Sequence, residues 1–220
     1  MLAVYAQAPR STRYAVVFPI EGNRWIVTLA GCLEDYPPGD DAGFLEFARG
    51  LDRPDVYEAI RHAESLSEIA TFRFPAQQRR HYERMAHVPD RLVVMGDALC
   101  SFNPLYGQGM SVAALEAEAL GALLADAPNL DGIGKRFFKR AARIVADPWL
   151  LATGADFLYP DVGGRRPPGS ALLGWFNMRV LRRCGTDAEV ARRFLDVMHL
   201  LRGPLALATP RLLLRDQEPP

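Results

Sequence analysis

The order of residue types between positions 91 and 125 restricts this chain more than any other feature. Leu92, Val93, Val94 and Met95 form a continuous apolar run of the kind a short strand in a parallel sheet shows. Gly96-Asp97 ends that run, and Asn103-Pro104 breaks the chain again. Gly107-Gln108-Gly109 then opens a helical pattern from 110 to about 125. Strand, acid, glycine turn and helix in this order set one carboxylate and one helix start on the same side of a sheet. The helix start carries unpaired N–H groups and about half a positive charge, so it favours a neighbouring anion. Glycines without Cβ atoms let a ligand approach the backbone. A carboxylate fixed at the strand's end, Asp97, is suited to accept hydrogen bonds from sugar-like hydroxyls. Such geometry fits a polyol or nucleotide cofactor.

The block Gly96, Asp97, Ala98, Pro104, Gly107, Gln108, Gly109, Met110 resembles the second flavin motif of FAD-dependent monooxygenases related to p-hydroxybenzoate hydroxylase and squalene epoxidase, Gly-Asp-Ala followed by Pro-x-x-Gly-Gln-Gly-Met. The resemblance implies FAD as cofactor, with Asp97 on the ribityl hydroxyls and Pro104 beside the isoalloxazine. It also implies that the backbone of Gly107, Gln108, Gly109 and Met110 faces the pyrimidine edge of the ring. The activity it implies is hydroxylation or epoxidation of an apolar or aromatic small molecule through a flavin C4a-hydroperoxide. NADPH or another electron donor is left open, and no side chain is assigned as acid or base.

The departures are equally definite. Leu99-Cys100 stands where many relatives carry a histidine, and the Asp-Gly element that relatives use in mid-chain is missing. No Gly-x-Gly-x-x-Gly fingerprint for the pyrophosphate occurs. The other glycine-dense run, Gly163-Gly164 before Arg165-Arg166-Pro167-Pro168-Gly169, neither follows a strand nor precedes a suitable helix. The expectation is therefore the C-terminal half of such an enzyme, with Met1 falling where the relatives are already inside their substrate domain. An alternative stands beside the first: a truncated or split, non-catalytic fragment that needs a partner chain supplying the dinucleotide-binding half.

Around this block, residues 13–20 and 24–31, rich in β-branched and aromatic side chains and separated by Glu21-Gly22-Asn23, read as a hairpin. By the same resemblance, here to actinobacterial-type oxidoreductases, one hairpin face floors a substrate pocket, with Phe18, Trp25 and Val27 as its lining. Residues 42–49 and 54–62 read as short helices, the second with proline in its first turn, and 68–74 as a further strand. Residues 75–87, a polar helix or loop, either bring Arg79, Arg80 or His81 to the flavin or substrate edge or form a solvated segment with arginines bound to carboxylates. His62, His87 and His199 show no ligand spacing and read as structural. After a loop over 126–134, residues 135–146 read as a core-packing helix stopped by Asp147-Pro148-Trp149. Residues 163–169 are a loop, and 170–183 and 187–201 are helices, with Gly185 ending the first and Thr186 or Asp187 capping the second. The tail, 204–214, is apolar and interrupted by Pro210.

The fold class expected is α+β, partly α/β: an antiparallel substrate-domain sheet over 1–88, the C-terminal part of an FAD-binding domain over 89–162, and a helical segment over 163–220. Equal numbers of basic and acidic residues, 26 each among 220, give no electrostatic case for nucleic acid or an anionic membrane. Three scattered cysteines indicate neither a disulfide framework nor a metal cluster, and fit a reducing, cytoplasmic setting. The N-terminal residues fail as a signal peptide, and no run reaches the roughly 20 apolar residues of a membrane span.

Overall fold

The computed structural model describes residues 1–126 and 129–209, so the expected tail beyond 209 and part of the loop at 127–128 lie outside the described residues. The class is α+β. The chain forms two compact units, Met1–Arg73 with Leu158–Arg165, and Phe74–Phe157 with Arg166–Pro220. Residues 75–88 therefore pack with the Asp97 block instead of with the hairpin, and the C-terminal helices share that second unit.

In the first unit β1 (Leu2–Val4), β2 (Arg13–Ile20) and β3 (Arg24–Gly31) form an antiparallel sheet in the order β1-β2-β3. The expected hairpin is present at the expected residues, and Gly22 and Asn23 supply the positive φ values its tight loop needs. Register fixes the faces. Val17 lies opposite Val27 and Ala15 opposite Leu29, while Phe18 lies opposite Ile26. Side chains alternate along a strand, so Val27 and Trp25 share the Val17 face and Phe18 points to the other. The three residues expected to line one pocket are thus split, and Ile26 is the residue that accompanies Phe18.

The Val17 face packs with Val4 and Leu29 against α1 (Asp41–Arg49) and α2 (Asp55–Ile60), through Phe47, Ala48, Val56 and Ile60. Asp40 caps α1 by accepting the Gly43 N–H at 2.9 Å. The Asp35 carboxylate accepts two bonds from the Arg13 guanidinium, both 2.9 Å, and one from Thr12. These bonds hold the Asp35 pKa below its ordinary value, the Arg13 bond most of all. Tyr159 closes the unit by donating to the Ser11 carbonyl at 2.9 Å. Residues 68–74 form no strand: Phe72 stays exposed and the segment has no ladder partner. Alternation alone does not make a strand where neither face is buried.

The second unit is built on α3 (Gly109–Ala125) and α4 (Ile133–Asp156). Phe137, Phe138, Ala141 and Val145 of α4 pack with Val112 and Leu123 of α3 and with Leu99, Cys100 and Phe102. α4 does not stop at Pro148, against expectation. Gly134, Phe138, Ala141, Val145, Pro148 and Ala152 form one buried seam at three- and four-residue spacing, and the proline ring is part of it. An interior proline costs about 3 kcal/mol through its missing hydrogen bond. Packing beyond it, with Trp149 against Phe102 at 6.4 Å between centroids, outweighs that cost.

α5 (Ser170–Cys184) and α6 (Ala188–Met198) form a satellite core through Val180, Val190 and Val197. Gly185 ends α5, and Asp187 caps α6 by accepting the N–H groups of Glu189 and Val190. No helix of the described residues is long and apolar enough to cross a membrane.

Candidate functional site

The expected strand over 92–95 is not formed. Val93, Val94 and Met95 are half-buried against the core of the second unit but make no ladder. The reason is topological: the only strand pair among that unit's described residues is β4 (Gln78–Arg79) with β5 (Cys100–Ser101). The run remains apolar, extended at Met95 and unpaired.

At its end Gly96 takes φ +62°, a left-handed conformation that favours glycine. The chain turns there into a single 3₁₀ turn, Gly96–Ala98, closed by the Leu99 N–H on the Gly96 carbonyl at 2.9 Å. Two further turns of chain bring it to α3. Asn103 accepts the Leu105 N–H through its side chain, Pro104–Tyr106 form a second 3₁₀ turn, and Gly107 is left-handed at φ +64°. α3 then begins with no side chain capping its first turn, leaving its leading amides without the usual partner.

These turns meet. Asp97 is exposed, and its Oδ1 lies 3.7 Å from where a Cβ on Gly109 would stand. A Cβ on Gly107 would meet nothing within 4 Å. An exposed carboxylate, an uncapped helix start and open space over Gly107 therefore adjoin. Pro104 and Gly107 are exposed beside them, and Met110 is 88% exposed. Gln108 is the contrary case: its side chain is 2% exposed, and neither its Oε1 nor its Nε2 has a hydrogen-bond partner. An orphaned buried amide is costly, and it stands in the chain between the open Gly107 and the uncapped start of α3.

The bend is anchored from α4. Asp156, at the helix's C-terminal end, accepts from the Tyr106 hydroxyl at 2.6 Å and from the Gln77 side chain. The Gly96–Ala98 turn is held from β4's side: the Arg80 N–H donates to the Leu99 carbonyl at 2.9 Å and its guanidinium to the Ala98 carbonyl at 3.3 Å. Of the three basic residues considered for the site edge, Arg80 alone adjoins the motif. Arg79 donates to the Ala142 carbonyl on α4, and His81 pairs with Glu83 at 2.7 Å. Arg79 and Arg80 thus bind backbone carbonyls, whereas the exposed Arg84 pairs with the Glu83 carboxylate at 3.8 Å, as expected for a solvated segment.

Glu116 is the residue sequence reasoning missed. It is 0% exposed, and its Oε2 accepts the Gly96 N–H at 2.6 Å. The available signal was position: Val112, Glu116 and Leu123 are the buried residues of α3, so an acid occupies the core seam of an otherwise apolar helix. Burial raises its pKa, opposed by the Gly96 bond. The folded chain thus holds this proton to higher pH than the unfolded chain does. The associated stability is complete below the ordinary value of 4.5 and is lost as pH rises through the raised value. Glu116→Gln, which cannot ionise, is expected to gain stability relative to the wild type across that rise, read from denaturation midpoints at stepped pH. Beside Glu116, the Cys100 thiol is pushed up to about 12, mainly by burial, which makes it a packing group and not a nucleophile.

No family model matches the chain. It is similar to Protein Rv3254 of Mycobacterium tuberculosis (strain ATCC 25618 / H37Rv), at 32% identity over 189 residues, which cover 82% of this chain and 39% of that protein. The chain thus spans about two fifths of that relative's length.

Proposed function

We propose that Asp97 and the bend from Gly107 to Met110 seat the ribityl chain and ring of FAD. On this reading the protein is a FAD-dependent oxidoreductase of the monooxygenase kind, which hydroxylates or epoxidises an apolar or aromatic small molecule in a cytoplasmic setting, with NADPH or another donor as reductant. One observation carries the reading: the exposed Asp97 carboxylate stands 3.7 Å from the Cβ position of Gly109, at an uncapped helix start and next to the open Gly107.

When bound, FAD supplies the redox and oxygen-transfer chemistry, and the chain supplies position and field. Asp97 accepts hydrogen bonds from vicinal hydroxyls. The first amides of α3 present positive partial charge to whatever edge of the ring gathers electrons. Gly107 and Gly109 admit a flat ring against the backbone, Pro104 forms a wall without a donor, and Gln108 contributes its backbone, its side chain being buried.

A second reading, that the chain works only with a separate polypeptide supplying the nucleotide-binding half, is favoured by the unpaired run at 92–95 and by the missing pyrophosphate fingerprint.

The test is flavin retention. The purified protein is expected to keep or regain FAD absorbance through gel filtration, alone under the first reading and only with a partner under the second. Asp97→Ala is expected to weaken FAD binding about 10- to 100-fold, since a hydrogen bond to a charged group contributes about 1.5–3 kcal/mol. Equal FAD affinity in wild type and Asp97→Ala removes the proposed site.

A further inference from the structure

Gly109, Ala113 and Glu116 stand at i, i+4 and i+7 on α3, a spacing that aligns them on one stripe of a helix. The Gly96-Asp97 turn meets all three. The Asp97 Oδ1 is 3.7 Å from the Cβ position of Gly109, a Cβ on Gly96 would stand 3.8 Å from the Ala113 Cβ, and the Gly96 N–H donates to Glu116 Oε2 at 2.6 Å. The first two are distances to positions that glycine leaves empty and fix nothing by themselves, and Arg80 holds the far side of the turn through the Leu99 and Ala98 carbonyls. The third is directional and short.

A carboxylate with 0% exposure is an expensive residue for a helix seam, and leucine would fill the same volume without that penalty. Its remaining oxygen, Oε1, has no partner, so Gly96 accounts for its polar contact within the protein. Gly96 in turn is left-handed, and its N–H is held by Glu116.

We infer that Glu116 is the positioning residue of the flavin site: by fixing the Met95–Gly96 peptide, one residue ahead of Asp97, it sets where the Asp97 carboxylate stands over the start of α3. This rests on the flavin reading above. Glu116 does not touch the cofactor and takes no part in proton transfer. What the stripe requires is an acceptor two turns along the helix from Gly109, not a charge.

Two variants separate these requirements. Glu116→Gln keeps a carbonyl oxygen for the Gly96 N–H, whereas Glu116→Leu keeps the volume and removes the acceptor. FAD affinity of the full chain, titrated by flavin fluorescence, is expected to stay within about threefold of wild type in Glu116→Gln and to fall by about tenfold or more in Glu116→Leu. Amide exchange at Gly96, followed by NMR without flavin, is expected to be slow in wild type and Glu116→Gln and about tenfold faster or more in Glu116→Leu. Should Glu116→Leu fail to fold, the glutamine variant still decides: loss of Gly96 protection in it overturns the inference. So does Gly96 exchange, or FAD affinity, in folded Glu116→Leu equal to wild type. If wild type binds no FAD, alone or with a chain supplying the nucleotide-binding half, yet Gly96 is protected as expected, the flavin reading fails while the role of Glu116 in holding the turn stands.

Discussion

Phe137→Ala is expected to lower stability by about 3–5 kcal/mol, the range for removing a fully buried phenylalanine. Phe137 is 0% exposed and sits with Phe138 where α4 meets α3, their rings 5.9 Å apart. A cavity there loosens the helix that carries Gly109 and Glu116, so the loss extends from the core to the turn. Chemical denaturation followed by far-UV circular dichroism measures the cost. Phe137→Leu is expected to cost much less, because it leaves a smaller void. A midpoint for Phe137→Ala within error of the wild type contradicts the account of this core.

Gly109→Leu is expected to abolish flavin binding, a fall of about 100-fold or more, while the fold persists. A Cβ at this position meets only Asp97 Oδ1, at 3.7 Å, an ordinary contact distance. Leucine is also a far better helix former than glycine, by somewhat under about 1 kcal/mol. The backbone therefore has room for a Cβ here, and under the proposed function the rest of the side chain enters the space assigned to the ring. Gly109→Ala is the graded control, with a smaller fall in affinity and equal or higher stability. Tight FAD binding by a folded Gly109→Leu protein moves the cofactor elsewhere and takes the proposed function with it.

Local signals in the sequence located most of the helices and the hairpin. Asp187 and Gly185 act at helix ends through their own side chain or backbone, so their roles are written within a few residues; the Asp40 cap is equally local, though only the structure brought it out. The hairpin is legible for the same reason, with Gly22-Asn23 between two β-rich runs. What failed depended on partners distant in sequence. Residues 92–95 have the composition of a strand but no neighbour to pair with, and 68–74 alternate without a buried face. Pro148 reads as a stop because its cost is local, whereas the seam that offsets it is tertiary.

Within the candidate site, the glycines and Asp97 were legible as a motif. The convergence of Asp97 on Gly109 and the role of Glu116 were not, because each depends on how a turn lies along a helix. The split of Phe18 from Trp25 and Val27 follows from register, and parity along the two strands was enough to find it once the loop fixed the pairing.

That register leaves the first unit's sheet oily on both sides. One side is covered by α1 and α2 around Val17 and Leu29, while on the other Phe18 and Ile26 remain 46% and 52% exposed. Anyone engineering this unit as a free-standing soluble piece would repaint positions 18 and 26 with polar side chains and leave 17 and 27 untouched, since the same substitution one residue along would hollow out the interior instead of dressing the outside.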